Sequence, residues 1–218
     1  MKSSLSLAAI ALLLLVGFHF KKEGAKTLFV PYYNTADCTP LWITEKSEVA
    51  TQVPHQIKDF SFLDQTGATI SKKSIEGKIH VADFFFTSCS SVCPAMSHQF
   101  KLLQDSLMSD RDVELLSYSV TPWIDSVGRL KEYAETMGAK SEKWHMLTGD
   151  KAKIYDLART SYFAEGESGF SKDSSKFLHT EHFILVDKTL RIRGIYNGTL
   201  ALECERLLAD IRAIEKEG

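Results

Sequence analysis

Val81-Ala82-Asp83-Phe84-Phe85-Phe86-Thr87-Ser88-Cys89-Ser90-Ser91-Val92-Cys93-Pro94 is the stretch that decides how the rest of the chain is read. An apolar run rich in aromatics halts at Thr87-Ser88. Two cysteines follow with three residues between them, and Pro94 opens an amphipathic helical pattern. This predicts a buried strand, a short loop and a helix that starts at Pro94, since proline's missing N–H has no intrahelical partner at the first helical position anyway. Cys93 then falls at or beside the N-cap, where unpaired N–H groups and the helix dipole favour a thiolate. Cys89 falls on the loop over the strand's C-terminal end. Two thiols so placed can close a disulfide or hold a soft metal such as Cu(I). The plainer alternative is a pair of core cysteines, but a cysteine pair at a strand-to-helix junction argues for a site.

Working outward, the helix after Pro94 carries Met96, Phe100, Leu103 and Leu107 on one buried stripe. His98 lies off that stripe and reads as a solvated surface histidine. Val113–Thr121 reads as a second buried strand ended by Pro122, with Asp125 or Ser126 capping a helix that stops at Gly138. Lys143–Thr148 is a short strand, and Gly149-Asp150 caps a helix over 151–161. Glu165–Lys176, rich in Gly, Ser and Lys, reads as an exposed loop. His179 then enters a strand running to Asp187, Leu190–Tyr196 forms the next, and Thr199 is expected to cap a final helix with Cys204, Leu207, Leu208 and Ile211 facing inward. Upstream, Phe60–Ser71 reads as a β-hairpin turning at Gly67.

The chain begins Met1-Lys2, then runs apolar from Leu5 to Phe20, then Lys21-Lys22. That run falls between a secretory h-region of about 7–15 residues and a spanning helix of about 17–25. It reads as an uncleaved signal anchor over 1–22, cleavage being the alternative. Residues 23–55, with Pro31, Pro40, Pro54, Tyr32, Tyr33, Cys38 and Trp42, read as a linker that becomes an arm packed on a domain over 56–218. The chain has 218 residues, 44% hydrophobic, with a net charge of −2. Acidic and basic residues are mixed, so no nucleic-acid footprint is visible, and four cysteines are too few for a disulfide scaffold.

Helices alternate with buried strands, and a strand pair plus helix closes the chain. This predicts an α/β fold with a parallel-plus-antiparallel sheet covered on both faces. A cysteine pair after the first central strand makes it thioredoxin-like, with an N-terminal β-hairpin and a membrane-anchoring N-terminal helix. With Phe86-Thr87-Ser88-Cys89, Cys93-Pro94 and His179-Thr180 in view, the chain resembles the Sco/SenC family over roughly residues 55–215. The resemblance implies a membrane-anchored copper protein that assists assembly of the dinuclear copper centre of cytochrome c oxidase. Its ligands would be Cys89, Cys93 and His179. Leu178 stands where the family usually has Asp, and Ser119-Val120-Thr121-Pro122 departs from the family's Ser-x-Asp-Pro.

Two thiolates and an imidazole form a trigonal set suited to copper, whereas structural zinc wants four ligands. His182, three residues beyond His179, points to the opposite face of an extended strand. Three functions compete. One is a copper metallochaperone. The second is a thiol–disulfide oxidoreductase that reduces the oxidase cysteines. The third is a peroxidase, disfavoured because Thr87 and Cys89 lack the Thr-x-x-Cys spacing. No proline follows Pro122, so the proline that dithiol oxidoreductases of this fold place opposite their cysteines is missing, and His179 stands there instead. The expected partners are the oxidase's copper-accepting subunit and a thiol reductant or copper donor. The expected place is the outer, periplasmic side of the cytoplasmic membrane. Asp83, six residues before Cys89 on an apolar strand, is a candidate proton relay with a pKa raised by burial. Cys38 and Cys204 read as unrelated thiols, a Cys38–Cys204 bond being the alternative.

Overall fold

The computed structural model describes residues 29–164 and 180–217. The apolar run Leu5–Phe20, the loop read at Glu165–Lys176 and His179 lie outside the described residues. Within them no helix is long and apolar enough to cross a membrane. The elements in order are β1 (Tyr32–Tyr33), β2 (Pro40–Leu41), α1 (Lys46–Gln52), β3 (Ser61–Leu63), β4 (Thr69–Ser71), α2 (Lys72–Ile75) and β5 (Ile79–Phe85). There follow α3 (Cys93–Leu107), β6 (Val113–Ser119), α4 (Val127–Met137), β7 (Trp144–Leu147), α5 (Lys151–Thr160), β8 (His182–Val186), β9 (Ile192–Asn197) and α6 (Ala201–Lys216).

Seven strands form one sheet in the order β2-β1-β9-β8-β5-β6-β7. β5, β6 and β7 run parallel, and β8 and β9 are antiparallel. β5 is central and all seven of its residues are buried, which explains its near-continuous apolar sequence. Its alternation splits the core. Ala82 and Phe84 face one cluster with the hairpin residues Phe60 and Phe62 and the α5 residues Ile154 and Leu157. Val81 and Phe85 face the other, with Met96, Phe100, Leu103 and Leu107 of α3, Leu130 of α4 and Leu207 and Ile211 of α6. Each face thus closes over about one layer of helix, the arrangement a two-sided sheet requires.

The hairpin forms as read, with Gly67 at φ +83° in its turn, and docks on the end of β7 through paired Leu63 and Thr148 amides. Ser126 caps α4 by accepting from the Arg129 amide, and Gly138 ends it in the left-handed conformation. Several features differ from the sequence reading, which holds neither α1 nor α2 and starts before Thr180 the strand that begins at His182. The arm contributes strands: β1 pairs with β9 through Tyr33 and Ile192, and β2 pairs with β1, so the arm extends the sheet. The last helix is capped at Leu200 with no side-chain bond. Thr199 is not the cap, because both its amide and its hydroxyl bind Asn197 Oδ1, at 2.9 and 2.6 Å. The asparagine turn that closes β9 takes the threonine before the helix can use it.

Candidate metal and thiol site

β5 ends at Phe85 and the chain turns through Phe86–Val92 into α3, with the Cys89 amide donating to the Phe86 carbonyl at 3.2 Å. Cys93 is the first residue of α3, Pro94 the second, and Val92 the N-cap. The thiols are neighbours and both are free. Their chemistry reverses the sequence expectation. Burial pushes the Cys93 thiol up to about 12, reinforced by its hydrogen bond to Cys89. Burial also acts to raise Cys89, but the Cys93 thiol and the amides of Cys93, Ser91 and Val92 donate to its sulfur and hold it below the usual thiol value. The helix N-terminus therefore does stabilise a thiolate, but on the residue that lies across its open end. Cys93 is buried, and its side chain turns down into the core with Met96 and Phe85. Cys89 is half-exposed and the more acidic of the two thiols, so it is the one that an incoming partner meets.

Asp83 lies beneath the thiols on the same face of β5 as Val81 and Phe85, at 3% exposure. Desolvation pushes its carboxyl up to about 7 against the pull of the Ser117 hydroxyl. Oδ1 has no hydrogen-bond partner among the described residues. Tyr133 of α4 closes this pocket. Its ring packs 5.5 Å from Phe85, its hydroxyl is 2.9 Å from Ser97 Oγ, and its phenol, pushed up to about 12 chiefly by burial, also feels the charges of Cys93, Asp83 and Cys89.

Asp125 is a residue whose place the sequence does not reveal. Its fully buried carboxylate accepts from the Thr87 hydroxyl at 2.6 Å, the Thr87 amide at 3.3 Å, the Ser119 hydroxyl at 2.6 Å and the Thr121 hydroxyl at 2.9 Å. The sequence marks it only as one of two possible helix caps. The signal that could have found it is the cluster of hydroxyls, Thr87, Ser119 and Thr121, placed at the C-terminal ends of adjacent parallel strands. His98 is exposed on α3, away from the thiols. His182 opens β8 paired with Asn197, on the side of Ile184 and away from the face that carries Phe183 and Cys93. Among the described residues, no group of three or more His, Cys, Asp and Glu side chains is placed to hold a metal ion.

A parallel-then-antiparallel sheet with a dithiol where the central strand passes into its helix defines a thioredoxin-like protein. Known proteins narrow this further. The SCO1/SenC family matches residues 48–215, and the chain belongs to it. A SCO1 protein homolog of Bacillus subtilis (strain 168) is 27% identical over 168 residues, 76% of this chain and 86% of that one. Among solved structures, BsSco, described as a member of the Sco family of cytochrome c oxidase assembly proteins with a disulfide switch, is 27% identical. It aligns at a TM-score of 0.62 over 74% of this chain and 94% of its own. Copper-bound ScoI of Bradyrhizobium japonicum is 26% identical, at a TM-score of 0.57 over 72% of this chain and 98% of its own.

Proposed function

We propose that the chain binds copper through Cys89, Cys93 and His179 and serves as a metallochaperone in assembly of the dinuclear copper centre of cytochrome c oxidase. The observation that carries this reading is the pair of neighbouring free thiols at the start of α3, with helix-start donors turned on the half-exposed Cys89 sulfur. Soft thiolates favour Cu(I), and copper-bound ScoI of Bradyrhizobium japonicum supports the assignment by likeness. β8 alternates so that Phe183 and Leu185 fall with the Cys93 core and Ile184 and Val186 with the other. Copper is cargo here, received from a donor protein and passed to the oxidase's copper-accepting subunit. Asp83, without a partner at Oδ1 among the described residues, serves as the acceptor for protons the thiols lose on loading.

The asymmetry of the two thiols also favours a second reading, a thiol–disulfide oxidoreductase acting on the oxidase cysteines. Cys89 thiolate attacks a partner disulfide and releases one partner thiolate. Cys93 then attacks the mixed disulfide, releases the second, and leaves a Cys89–Cys93 disulfide. Copper titration of the reduced protein separates the readings. One Cu per chain is expected, abolished in Cys89→Ala and Cys93→Ala. Affinity should fall at least about 10-fold in His179→Ala, the loss that removal of even an outer-shell partner causes, and should hold in His98→Ala and His182→Ala. Unchanged affinity in His179→Ala would remove the three-ligand site.

A further inference from the structure

The buried carboxylate of Asp125 reaches back from the turn after β6 to the segment that carries Cys89. It fastens Thr87 at both backbone and side chain, through Thr87 N to Oδ2 at 3.3 Å and Thr87 Oγ1 to Oδ1 at 2.6 Å. Arg129, in the first turn of α4, donates through Nε to the same Thr87 hydroxyl at 2.6 Å and stands 3.6 Å from Asp125 Oδ1. The Thr87 hydroxyl therefore donates to Asp125 and accepts from Arg129, which fixes its orientation. The Ser119 and Thr121 hydroxyls both donate to Asp125 Oδ2, and Thr121 is itself tied to Ser119 Oγ by its amide at 3.1 Å.

Burying a carboxylate costs several kcal/mol unless its lone pairs are satisfied, and a turn between a strand and a helix does not by itself need one. Here the carboxylate's long-range bonds all go to Thr87. On one side of Thr87 the Phe86 amide faces the Cys93 sulfur. On the other, the Cys89 amide closes on Phe86. Thr87 is thus the anchored point between the end of β5 and the half-exposed Cys89 sulfur. Without the anchor, the segment from Phe86 to Val92 keeps its internal bonds but loses its tie to the turn after β6, and its ends are free to spread over a wider range.

We infer that Asp125, Thr87 and Arg129 act as positioning residues that hold Cys89 against Cys93, and so set how readily the dithiol closes and how slowly it releases a metal. Held close, the two sulfurs react at high effective concentration, and loosening Thr87 lowers it. The metal arm of this inference rests on the copper reading above, and the thiol arm does not.

The test equilibrates the purified full chain with a glutathione redox buffer and follows the peptide carrying Cys89 and Cys93 by mass spectrometry. The two thiols give two electrons and two protons to glutathione disulfide, leaving one intramolecular disulfide and two glutathione thiols. Thr87→Val, which keeps the shape but neither donates nor accepts, and Arg129→Met are each expected to lower this equilibrium constant at least about tenfold. The far-UV circular dichroism should stay unchanged, and Thr87→Ser should restore the parental value. Copper-loaded Thr87→Val should surrender its metal to a Cu(I) chelator faster by a similar factor. If Thr87→Val does not fold, Arg129→Met decides alone, its side chain being half-exposed. Parental disulfide equilibria in folded Thr87→Val and Arg129→Met overturn the inference. A shifted equilibrium in a chain that binds no copper upholds the clamp and sinks the copper reading.

Discussion

Asp83 shows what a single position can hold. Its place on an otherwise apolar strand is plain from Val81–Phe86, and so is the raised pKa that burial without a cation produces. The structure adds the Ser117 hydroxyl opposite, the unpaired Oδ1 and the thiols above. Its carboxyl titrates at 3.8 when unperturbed and at about 7 in the fold, so between those values the folded state holds a proton that the unfolded state has released. The stability this contributes is whole below 3.8, falls by about 1.4 kcal/mol per pH unit across the window, and is lost once pH passes about 7. Asp83→Asn cannot ionise. Its unfolding free energy should therefore gain on the parent's as pH rises from about 4 to about 7 and stay level above, measured by urea denaturation at several pH values. A difference that does not vary with pH would mean that the carboxyl is not buried as described. The same substitution should slow thiol oxidation near neutral pH while leaving the saturated copper spectrum intact. The assignment of the thiolate was less legible. Helix-start chemistry pointed to Cys93 because it is first in the helix, but amides at a helix N-terminus point along the axis and serve whatever lies across the end. Which sulfur lies there depends on the path of residues 86–92, and only the folded loop fixes it.

At the scale of elements, the arm is where the sequence was least informative. A two-residue strand has no measurable period, so β1 and β2 were invisible as strands. They cover β9, which would otherwise leave its backbone groups open along an edge. What holds them is Arg193, 2% exposed on β9. Its guanidinium donates to the Val30 carbonyl at 2.7 Å and the Pro31 carbonyl at 3.2 Å and lies 4.0 Å over the Tyr32 ring. It also pairs with Asp187 at 3.3 Å and Glu217 at 2.8 and 2.9 Å. Burial is the strongest single influence and works against this charge, but the Glu217 bond together with the charges of Glu217, Tyr32 and Asp187 outweighs it and the guanidinium pKa is raised. Arg193→Met should cost about 3–5 kcal/mol in urea unfolding, because two carboxylates and two carbonyls lose their donor at once. It should also expose residues 29–53 to limited proteolysis. Arg193→Lys should rescue little, since one ammonium cannot span the planar fork. A parental unfolding midpoint and proteolysis pattern in Arg193→Met would show that the arm is held by something else.

For the whole molecule, the prediction that belongs to the apolar run Leu5–Phe20 between Lys2 and Lys21-Lys22 is a domain tethered at the outer face of a cytoplasmic membrane. External protease added to intact spheroplasts should degrade the domain, and the chain should stay with the membrane fraction after a high-salt wash. Full protection of the domain would place it on the other side. The sequence by itself determined the order of the described strands and helices from β5 onward, the hairpin at Gly67, the helix stop at Gly138 and the dithiol at the junction of β5 and α3. These rest on periodicity, turn chemistry and capping, which neighbours within a few residues decide. Only the tertiary structure decided that the arm joins the sheet, that the helix-start amides serve Cys89 and not Cys93, that Thr199 serves its turn and not the helix, and that Asp125 grips Thr87. Thr87 and Asp125 are 38 residues apart, and Arg193 and Val30 are 163 apart. Strand order brings such pairs together, and no local pattern in the chain encodes which buried donor will face which acceptor.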